Sequence, residues 1–428
     1  SFELLGANPT LREHYQARFK YILVDEFQDT NSLQYNWLKR LAGPQGCIFA
    51  VGDDDQSIYA FRGARVANMV QFESDFNVQN RIKLEQNYRS VGNVLKAANV
   101  LIAHNKARLG KELWTEAGEG EAIRVYEATS DQDEAAFIID RIKKLVLEEG
   151  YSRSDVAILY RSNAQSRVVE QALFNAGMPY RVYGGLRFFE RAEIKHALAY
   201  LRLMDNADDD NSFSRVVNFP ARGIGARSVE QLQDISTAQA TSLYRAIHRM
   251  EGRAQAGLKK FADLIERMRF ETRGLSLPDL VDKVINESGL VAHFQADKDG
   301  EDRVENLKEL VNAAASFSIA EGYYRDAAAT MVDEEKMITP LADFLSHASL
   351  EAGDNAAAAG QDAIQLMTAH SAKGLEFKCV FVTGLEEGLF PHENSIGNSV
   401  EGGDGTSVEA VEEERRLMYV AITRAREQ

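Results

Sequence analysis

The chain has 428 residues, 45% hydrophobic and 27% charged with only 7 prolines, which is enough for about three domains with cores of their own. Its formal net charge of −16 argues against a polyanionic partner unless basic groups are gathered locally. No apolar run approaches the roughly 18 residues of a membrane span, and Ser1 to Thr10 shows no basic stretch leading into an apolar one. A membrane partner is therefore not expected, and nothing directs the chain out of the cytoplasm.

In chain order, strands are expected at Tyr21 to Val24, Cys47 to Val51, Ile82 to Leu84, Ala122 to Tyr126, Val156 to Tyr160, Ile364 to Met367 and Val380 to Val382. Amphipathic helices such as Asp133 to Glu149 and Gln165 to Ala176 lie between them, and this alternation predicts an α/β protein with parallel sheets. From about Ala192 to His347 the pattern is helical throughout, with apolar positions such as Leu258, Phe261, Leu264 and Met268 recurring at helical spacing. That stretch reads as an all-helical domain inserted into the α/β one. Ala352 to Asp362 is expected to be the return linker and Asn394 to Ser407 a polar loop. Cys47 and Cys379 sit in strand-like runs and are expected in the core, without a disulfide or a metal. The acidic stretches Asp205 to Asp210, Glu401 to Asp404 and Glu412 to Glu414 are expected on faces and loops away from any nucleic-acid track.

The chemistry begins where Tyr21-Ile22-Leu23-Val24 runs into Asp25-Glu26. A strand ending in two carboxylates delivers them to the edge of a parallel sheet where ligands bind. One can hold Mg²⁺ and the other can polarise water. An Asp-Glu pair alone is equally a solvated acidic turn. Its company decides the matter: Asp25-Glu26-Phe27-Gln28-Asp29-Thr30 is followed by Gly52-Asp53-Asp54-Asp55-Gln56-Ser57-Ile58-Tyr59-Ala60-Phe61-Arg62-Gly63-Ala64 and by Gln86-Asn87-Tyr88-Arg89-Ser90. Thr368-Ala369-His370-Ser371-Ala372-Lys373-Gly374-Leu375-Glu376-Phe377 and the run Glu413 to Ala425 complete the series.

Five blocks in this order resemble the signature blocks of superfamily-one helicases of the UvrD/Rep/PcrA branch, with wording nearest to UvrD-type members. The resemblance implies RecA-like P-loop NTPase cores, ATP and Mg²⁺ as cofactors, and 3′ to 5′ translocation on single-stranded DNA. It assigns Asp25 to Mg²⁺, Glu26 to water activation and Gln56 to sensing the γ-phosphate. Tyr88 would stack on adenine, Gly374 and Glu376 would line the nucleotide with Glu376 reaching the ribose, and Arg89 and Arg424 would embrace the γ-phosphate. Phosphoryl transfer needs positioning and charge neutralisation above all, and guanidinium forks suit that work.

For DNA, Tyr59, Phe61 and Arg62 form an aromatic pair beside a cation, suited to stacking on unpaired bases. Phe61 stands where the family usually has tryptophan. The resemblance gives Thr368 and His370 contacts to the strand's backbone; a buried, hydrogen-bonded histidine is the competing reading. In the helical insert, Asn218-Phe219-Pro220-Ala221-Arg222-Gly223-Ile224-Gly225-Ala226-Arg227-Ser228 resembles a helix-hairpin-helix turn, with Gly223, Ile224 and Gly225 offering backbone amides to a phosphate. Ser228 with Gln231 fits a capping box for the next helix.

The phosphate-cradling run Gly-x-x-x-x-Gly-Lys-Ser/Thr is absent from these residues, and the nearest decoy, Asn105 to Glu112, lacks the first glycine and the hydroxyl. The expectation is a chain truncated at both ends: residues 1–90 the rest of a first core, 91–191 and 359–428 a second core, and 192–358 the helical insert. Single strands and single-strand/duplex junctions are the expected partners, with repair proteins besides. The competing class is an ATP-independent DNA- or partner-binding module.

Overall fold

A computed structural model describes residues 1–44, 46–106, 108–251, 253–297, 300–323, 339–353, 361–397 and 406–428. The chain divides into two compact units, Ser1–Arg161 with Ile364–Gln428, and Ser162–Ala363.

The first unit opens with α1 (Phe2–Ala7) and α2 (Pro9–Arg18), separated at Asn8, whose side chain accepts from Leu11 N at 3.0 Å to cap α2. β1 (Tyr21–Val24) leads through a tight turn to α3 (Ser32–Ala42), which starts with a reciprocal Asn31/Gln34 capping box. β2 (Cys47–Ala50) lies parallel to β1, in register from Tyr21 opposite Cys47 to Val24 opposite Ala50, and α4 (Ala67–Asp75) follows. Because side chains alternate along a strand, Ile22, Val24, Ile48 and Ala50 pack against Phe27, Tyr35, Leu38 and Phe72. The other face carries Tyr21, Leu23 and Phe49, all exposed. Cys47 falls on that face and is exposed, against the expectation of a core position, whereas Cys379 is buried.

After α5 (Gly92–Ile102) and α6 (Asp131–Leu147), β3 (Val156–Tyr160) is buried along its whole length. Ile82 to Leu84 and Ala122 to Tyr126 are not strands. They carry the alternating apolar pattern, but Ile82, Leu84, Ile123 and Val125 point into solvent, with no ladder formed by either segment among the described residues.

The second unit is helical: α7 (Ser166–Asn175), a short β4 (Tyr180–Val182), α8 (Ala192–Asp205), α9 (Asp210–Val216), α10 (Ala226–Gln239), α11 (Leu243–Ala246), α12 (Arg253–Glu271), α13 (Leu277–Glu287), α14 (Leu290–Gln295), α15 (Glu301–Ala320) and α16 (Pro340–Gly353). Its core gathers around α8, where Leu198, Tyr200 and Leu201 meet Phe213, Phe261, Ile265, Val281 and Leu307. Residues 162–191, expected with the second core, group with these helices. Arg191 explains part of that grouping: its buried guanidinium bonds Asn163 O at 2.9 Å, Ser166 Oγ at 2.7 Å and Asn306 Oδ1 at 2.8 Å.

The chain then re-enters the first unit through β5 (Ile364–Thr368), β6 (Cys379–Val382), α17 (Glu393–Gly397) and α18 (Thr406–Ile422). β3 lies between β5 and β6, parallel to both. Residues 354–360 of the expected linker and 398–405 of the expected polar loop, including the acidic stretch Glu401 to Asp404, lie outside the described residues. Among the described residues no helix is long and apolar enough to cross a membrane.

Candidate nucleotide and nucleic-acid site

β1 delivers Asp25 and Glu26, both exposed, to its C-terminal end, and Asp25 Oδ1 accepts from Glu26 N at 2.9 Å. Glu26 adopts the left-handed conformation (φ 50, ψ 43), which costs a residue with a Cβ roughly 1–2 kcal/mol. Such strain persists where the surroundings enforce it, commonly at functional positions. The enforcing group is Gln28, fully buried: its Nε2 donates to Glu26 Oε2 at 2.6 Å and its Oε1 accepts from Asp53 N at 2.9 Å. One amide thus joins the ends of β1 and β2. Gly52 makes room for it, since a Cβ there would sit 2.8 Å from Gln28 Oε1.

Asp53, Asp54 and Asp55 bring carboxylate oxygens within 4.8 Å of one another, as a metal site would. Each is already engaged. Arg108 forks onto Asp55 with two 2.7 Å bonds, Leu109 N donates to Asp54 Oδ2 at 2.7 Å, and Asp53 pairs with Lys111 while accepting from Gln56 Nε2 at 2.6 Å. The triad is a clasp between two stretches of chain, closed by the segment that looked only like a decoy phosphate loop. Beyond it Ile58 is fully buried in a core with Ala157, Leu159, Met367 and Val420. Ser57 O accepts from Arg416 Nε at 2.9 Å, and Ala60 N donates to Glu413 Oε1 at 2.9 Å.

Glu412 to Glu414 therefore do not form a solvated face, as was expected of them. Glu412 accepts from Lys106 N at 2.7 Å, Glu414 is gripped by Arg161 at 2.8 Å, and burial pushes the Glu413 carboxyl up.

Arg89 Nε donates to Glu376 Oε2 at 2.8 Å, and this bond, ahead of the field of Arg89, holds the Glu376 carboxyl below its ordinary value. Arg424 is 1% exposed. Its donors reach Val420 O at 3.0 Å, Leu375 O at 3.2 Å and Thr423 Oγ1 at 3.1 Å, and among the described residues none reaches a carboxylate. Burial, then repulsion from Arg89, brings this guanidinium down to about 10, while Tyr419, Asp53 and Glu26 act in the opposite sense. A buried cation held by neutral oxygens beside a second cation is costly unless an anion compensates it. Tyr88 is 86% exposed, steadied through its hydroxyl by Gln86 at 2.9 Å, and offers a free ring face. Gly374 holds a positive φ of 85 with open space where a Cβ would be.

Lys373, quoted in its block but given no role, proves central. Its ammonium lies 2.6 Å from Asp29 Oδ2, 2.9 Å from Gln56 O and 3.5 Å from Glu26 Oε2. Gln28, Arg108 and Lys111 were likewise missed as partners, because contacts so distant in sequence leave no local pattern.

The aromatic pair assembles with His370. Phe61 stands edge-on to His370 with centroids 5.6 Å apart and to Tyr59 at 5.9 Å, and the Arg62 guanidinium lies within 5.4 Å of both rings. Tyr59 packs partly into the core, whereas Phe61 is 67% exposed. Burial, then the positive charge of Arg161, lowers His370 to about 4, so it is neutral near pH 7. Thr368 Oγ1 accepts from Ser371 N at 3.2 Å and caps its own turn.

In the second unit, Asn218 Oδ1 accepts from Arg222 N at 2.8 Å and Ile224 N at 3.1 Å, folding the hairpin back on itself. Ile224 belongs to the core through its side chain, and its amide donates to Asn218 Oδ1. Gly223 (φ 72) and Gly225 leave their surroundings open, and Gly225 caps α10. Ser228, expected as the cap, lies inside that helix.

With carboxylates at the end of a parallel strand, and the charges of Asp53 and Glu26 acting on Arg424 beside Arg89, the chain is an α/β protein whose charged groups gather at the strand ends, the edge where ligands of such sheets bind. The chain belongs to the UvrD-like helicase family: the UvrD/REP helicase N-terminal domain matches residues 1–77 and the UvrD-like helicase C-terminal domain residues 82–428. It is 49% identical over 431 residues to DNA helicase II of Escherichia coli K12, covering 99% of this chain and 57% of that relative. It is 39% identical over 437 residues to the ATP-dependent DNA helicase PcrA of Bacillus subtilis 168, covering 100% of this chain and 56% of that one. It is also 41% identical over 444 residues to the ATP-dependent DNA helicase UvrD1 of Mycobacterium tuberculosis H37Rv, covering 99% and 56%. The chain thus spans a little over half the length of these relatives.

Proposed function

We propose that the chain forms the nucleotide-cleaving cleft and strand-gripping surface of an ATP-dependent DNA helicase. In this reading it steps 3′ to 5′ along single-stranded DNA and works at single-strand/duplex junctions in cytoplasmic DNA repair or replication, with repair proteins as partners. The observation that carries it is Arg424, buried, reached by no carboxylate among the described residues, and repelled by Arg89. A γ-phosphate is the anion that would relieve both.

Asp25 is an exposed hard-oxygen donor at a strand end and fits a Mg²⁺ ion, which when bound neutralises phosphate charge. Glu26, braced by Gln28, orients the attacking water and takes its proton. Gln56 lies on the same carboxylate network through Asp53 and is placed to register the γ-phosphate. Arg89 exchanges Glu376 for phosphate oxygens as charge spreads over them, leaving Glu376 to the ribose and Tyr88 to the adenine face. Phe61 and Tyr59, with Arg62, take the unpaired bases, while Thr368 and His370 approach the backbone of the strand. In the second unit, the open backbone at Gly223 and Gly225 suits a duplex phosphate.

Because these 428 residues hold no phosphate-cradling glycine loop, hydrolysis by the chain alone is expected to be negligible. The test is DNA-stimulated ATP hydrolysis by the chain joined to a segment carrying such a loop. Glu26→Gln should abolish turnover and keep nucleotide binding; unchanged turnover in that variant refutes the assignment of the base.

A further inference from the structure

Arg222 opens the glycine turn that precedes α10, and its side chain turns away from solvent. The guanidinium donates to three main-chain carbonyls: Val216 O at 3.2 Å, at the end of α9; Pro220 O at 3.0 Å; and Ser288 O at 2.7 Å, at the C-terminal end of α13. It also lies over two fully buried rings, with the Tyr200 centroid (α8) 5.6 Å away and the Phe261 centroid (α12) 5.5 Å away, within reach of cation–π contact. The Tyr200 hydroxyl braces the same turn by donating to Phe219 O at 2.6 Å. No carboxylate reaches Arg222 among the described residues; the carbonyl ends of two helices, where the helix dipole is negative, stand in for one.

Along the turn, residues alternate between inward and outward roles. The N–H groups of Arg222 and Ile224 donate to Asn218 Oδ1 at 2.8 Å and 3.1 Å. Ile224 is buried where α12 passes so near that a Cβ on Gly257 would stand 3.3 Å from Ile224 Cγ1. Gly223 and Gly225 lie between and beyond these anchors; both are exposed, and their N–H groups take no partner among the described residues. A planar guanidinium with donors in a fixed fork sets orientation as well as position.

We propose that Arg222 is the positioning residue that holds the Gly223 and Gly225 amides in place for the phosphate backbone of duplex DNA. The proposal rests on the reading of this hairpin as the duplex contact. Arg222 spends its charge inside the unit, on carbonyls and rings, and touches no phosphate itself. It fixes the outward pair by fastening the inward one. An amide carries no net charge and releases no counterion from DNA, so the outward pair adds affinity without adding to the salt dependence.

Binding of the chain to a fluorescein-labelled blunt duplex, read by anisotropy over a range of salt, tests this, with oligothymidylate as a separate probe. R222M should weaken duplex binding by about tenfold or more, the worth of one hydrogen bond to a charged group. The slope of log K against log salt and the binding of oligothymidylate should both stay as in the wild type. R222K keeps the charge, but one ammonium cannot span three carbonyls, so it should show the same loss; it serves if R222M does not fold. Hydrogen exchange should quicken in both variants across 218–229 and keep wild-type rates across 194–204 and 258–268. A slope reduced by about 0.9, the mark of a lost cation–phosphate contact, or duplex affinity restored in R222K, overturns the proposal. So does exchange quickened through all three stretches, which marks a general packing residue. G225P tests the underlying reading separately: Gly225 has φ −78 with open space beside it, so proline fits there and removes the N–H. Duplex binding unchanged in G225P refutes the hairpin as the duplex contact, whereas a loss in G225P with none in R222M or R222K refutes the role of Arg222 alone.

Discussion

Replacing Arg108 by methionine tests the clasp that holds the segment carrying Gln56 and Tyr59. The Asp55 side chain is 2% exposed, and two bonds of 2.7 Å from Arg108 satisfy it; Arg108 itself is 16% exposed. Removing the arginine strands a carboxylate out of reach of water, and breaking a buried pair from one side costs about 3–5 kcal/mol. Removing the carboxylate by Asp55→Asn is milder, because the arginine can turn its head toward solvent and forfeits about 1.5–3 kcal/mol for a charged hydrogen bond. The double variant should therefore be more stable than Arg108→Met alone. Urea unfolding followed by tryptophan emission, from Trp37 and from Trp114 just beyond Lys111 in the chain, reads the effect. A loss below about 1 kcal/mol in Arg108→Met, the ceiling for an exposed pair, or a double variant that simply sums the two losses, refutes the account of the clasp as a desolvated ion pair.

Phe61→Ala should weaken oligothymidylate binding by roughly 1–3 kcal/mol in an anisotropy titration; an unchanged titration assigns the ring elsewhere. In a version able to hydrolyse ATP, Arg89→Ala should slow turnover by roughly 10³ or more, as for an arginine finger, and a loss under tenfold reduces it to a docking residue. His370, lowered from its ordinary 6.5 to about 4, stays neutral in the folded chain while the unfolded chain takes up a proton. Its contribution is intact above pH 6.5 and is lost progressively as the pH falls towards 4, so His370→Asn should flatten that part of the stability profile; an unchanged slope contradicts the assignment. Gly52→Ala should drive Gln28 off Glu26 and Asp53, costing about 1–3 kcal/mol in a denaturant melt, and wild-type stability would show that the amide has other room.

Much of this fold was legible because strands such as Tyr21–Val24 and Val156–Tyr160 are apolar runs bounded by turn residues, and the helices around α8 repeat at helical spacing. Where the reading failed, neighbours decided. Ile82 to Leu84 and Ala122 to Tyr126 have the letters of strands, but a strand needs a ladder as well as a pattern. Cys47 has an apolar environment in sequence and an exposed face in space, since alternation in β2 puts it opposite Ile48. The site was legible as blocks, and in the structure the charges of Arg89, Asp53 and Glu26 act on Arg424 while Gln56 bonds Asp53. What could not be read was how the blocks grip each other. Gln28 reaching Asp53, Arg108 reaching Asp55 and Lys373 reaching Asp29 each join residues whose separation in the chain carries no periodic signal.

Asp54, Asp55, Glu412 and Glu414 are shut inside, Asp55 and Glu414 against guanidinium groups that neutralise them locally and the other two against backbone amides. An anion enclosed with its counter-ion presents a dipole to the outside, and the potential of a dipole dies away faster with distance than that of a bare charge. The electrical repulsion met by an approaching polyanion is accordingly weaker than a tally of acidic side chains suggests. Elution from an anion exchanger, which senses only the outward field, should come earlier than for a protein of equal formal charge whose carboxylates all face the solvent.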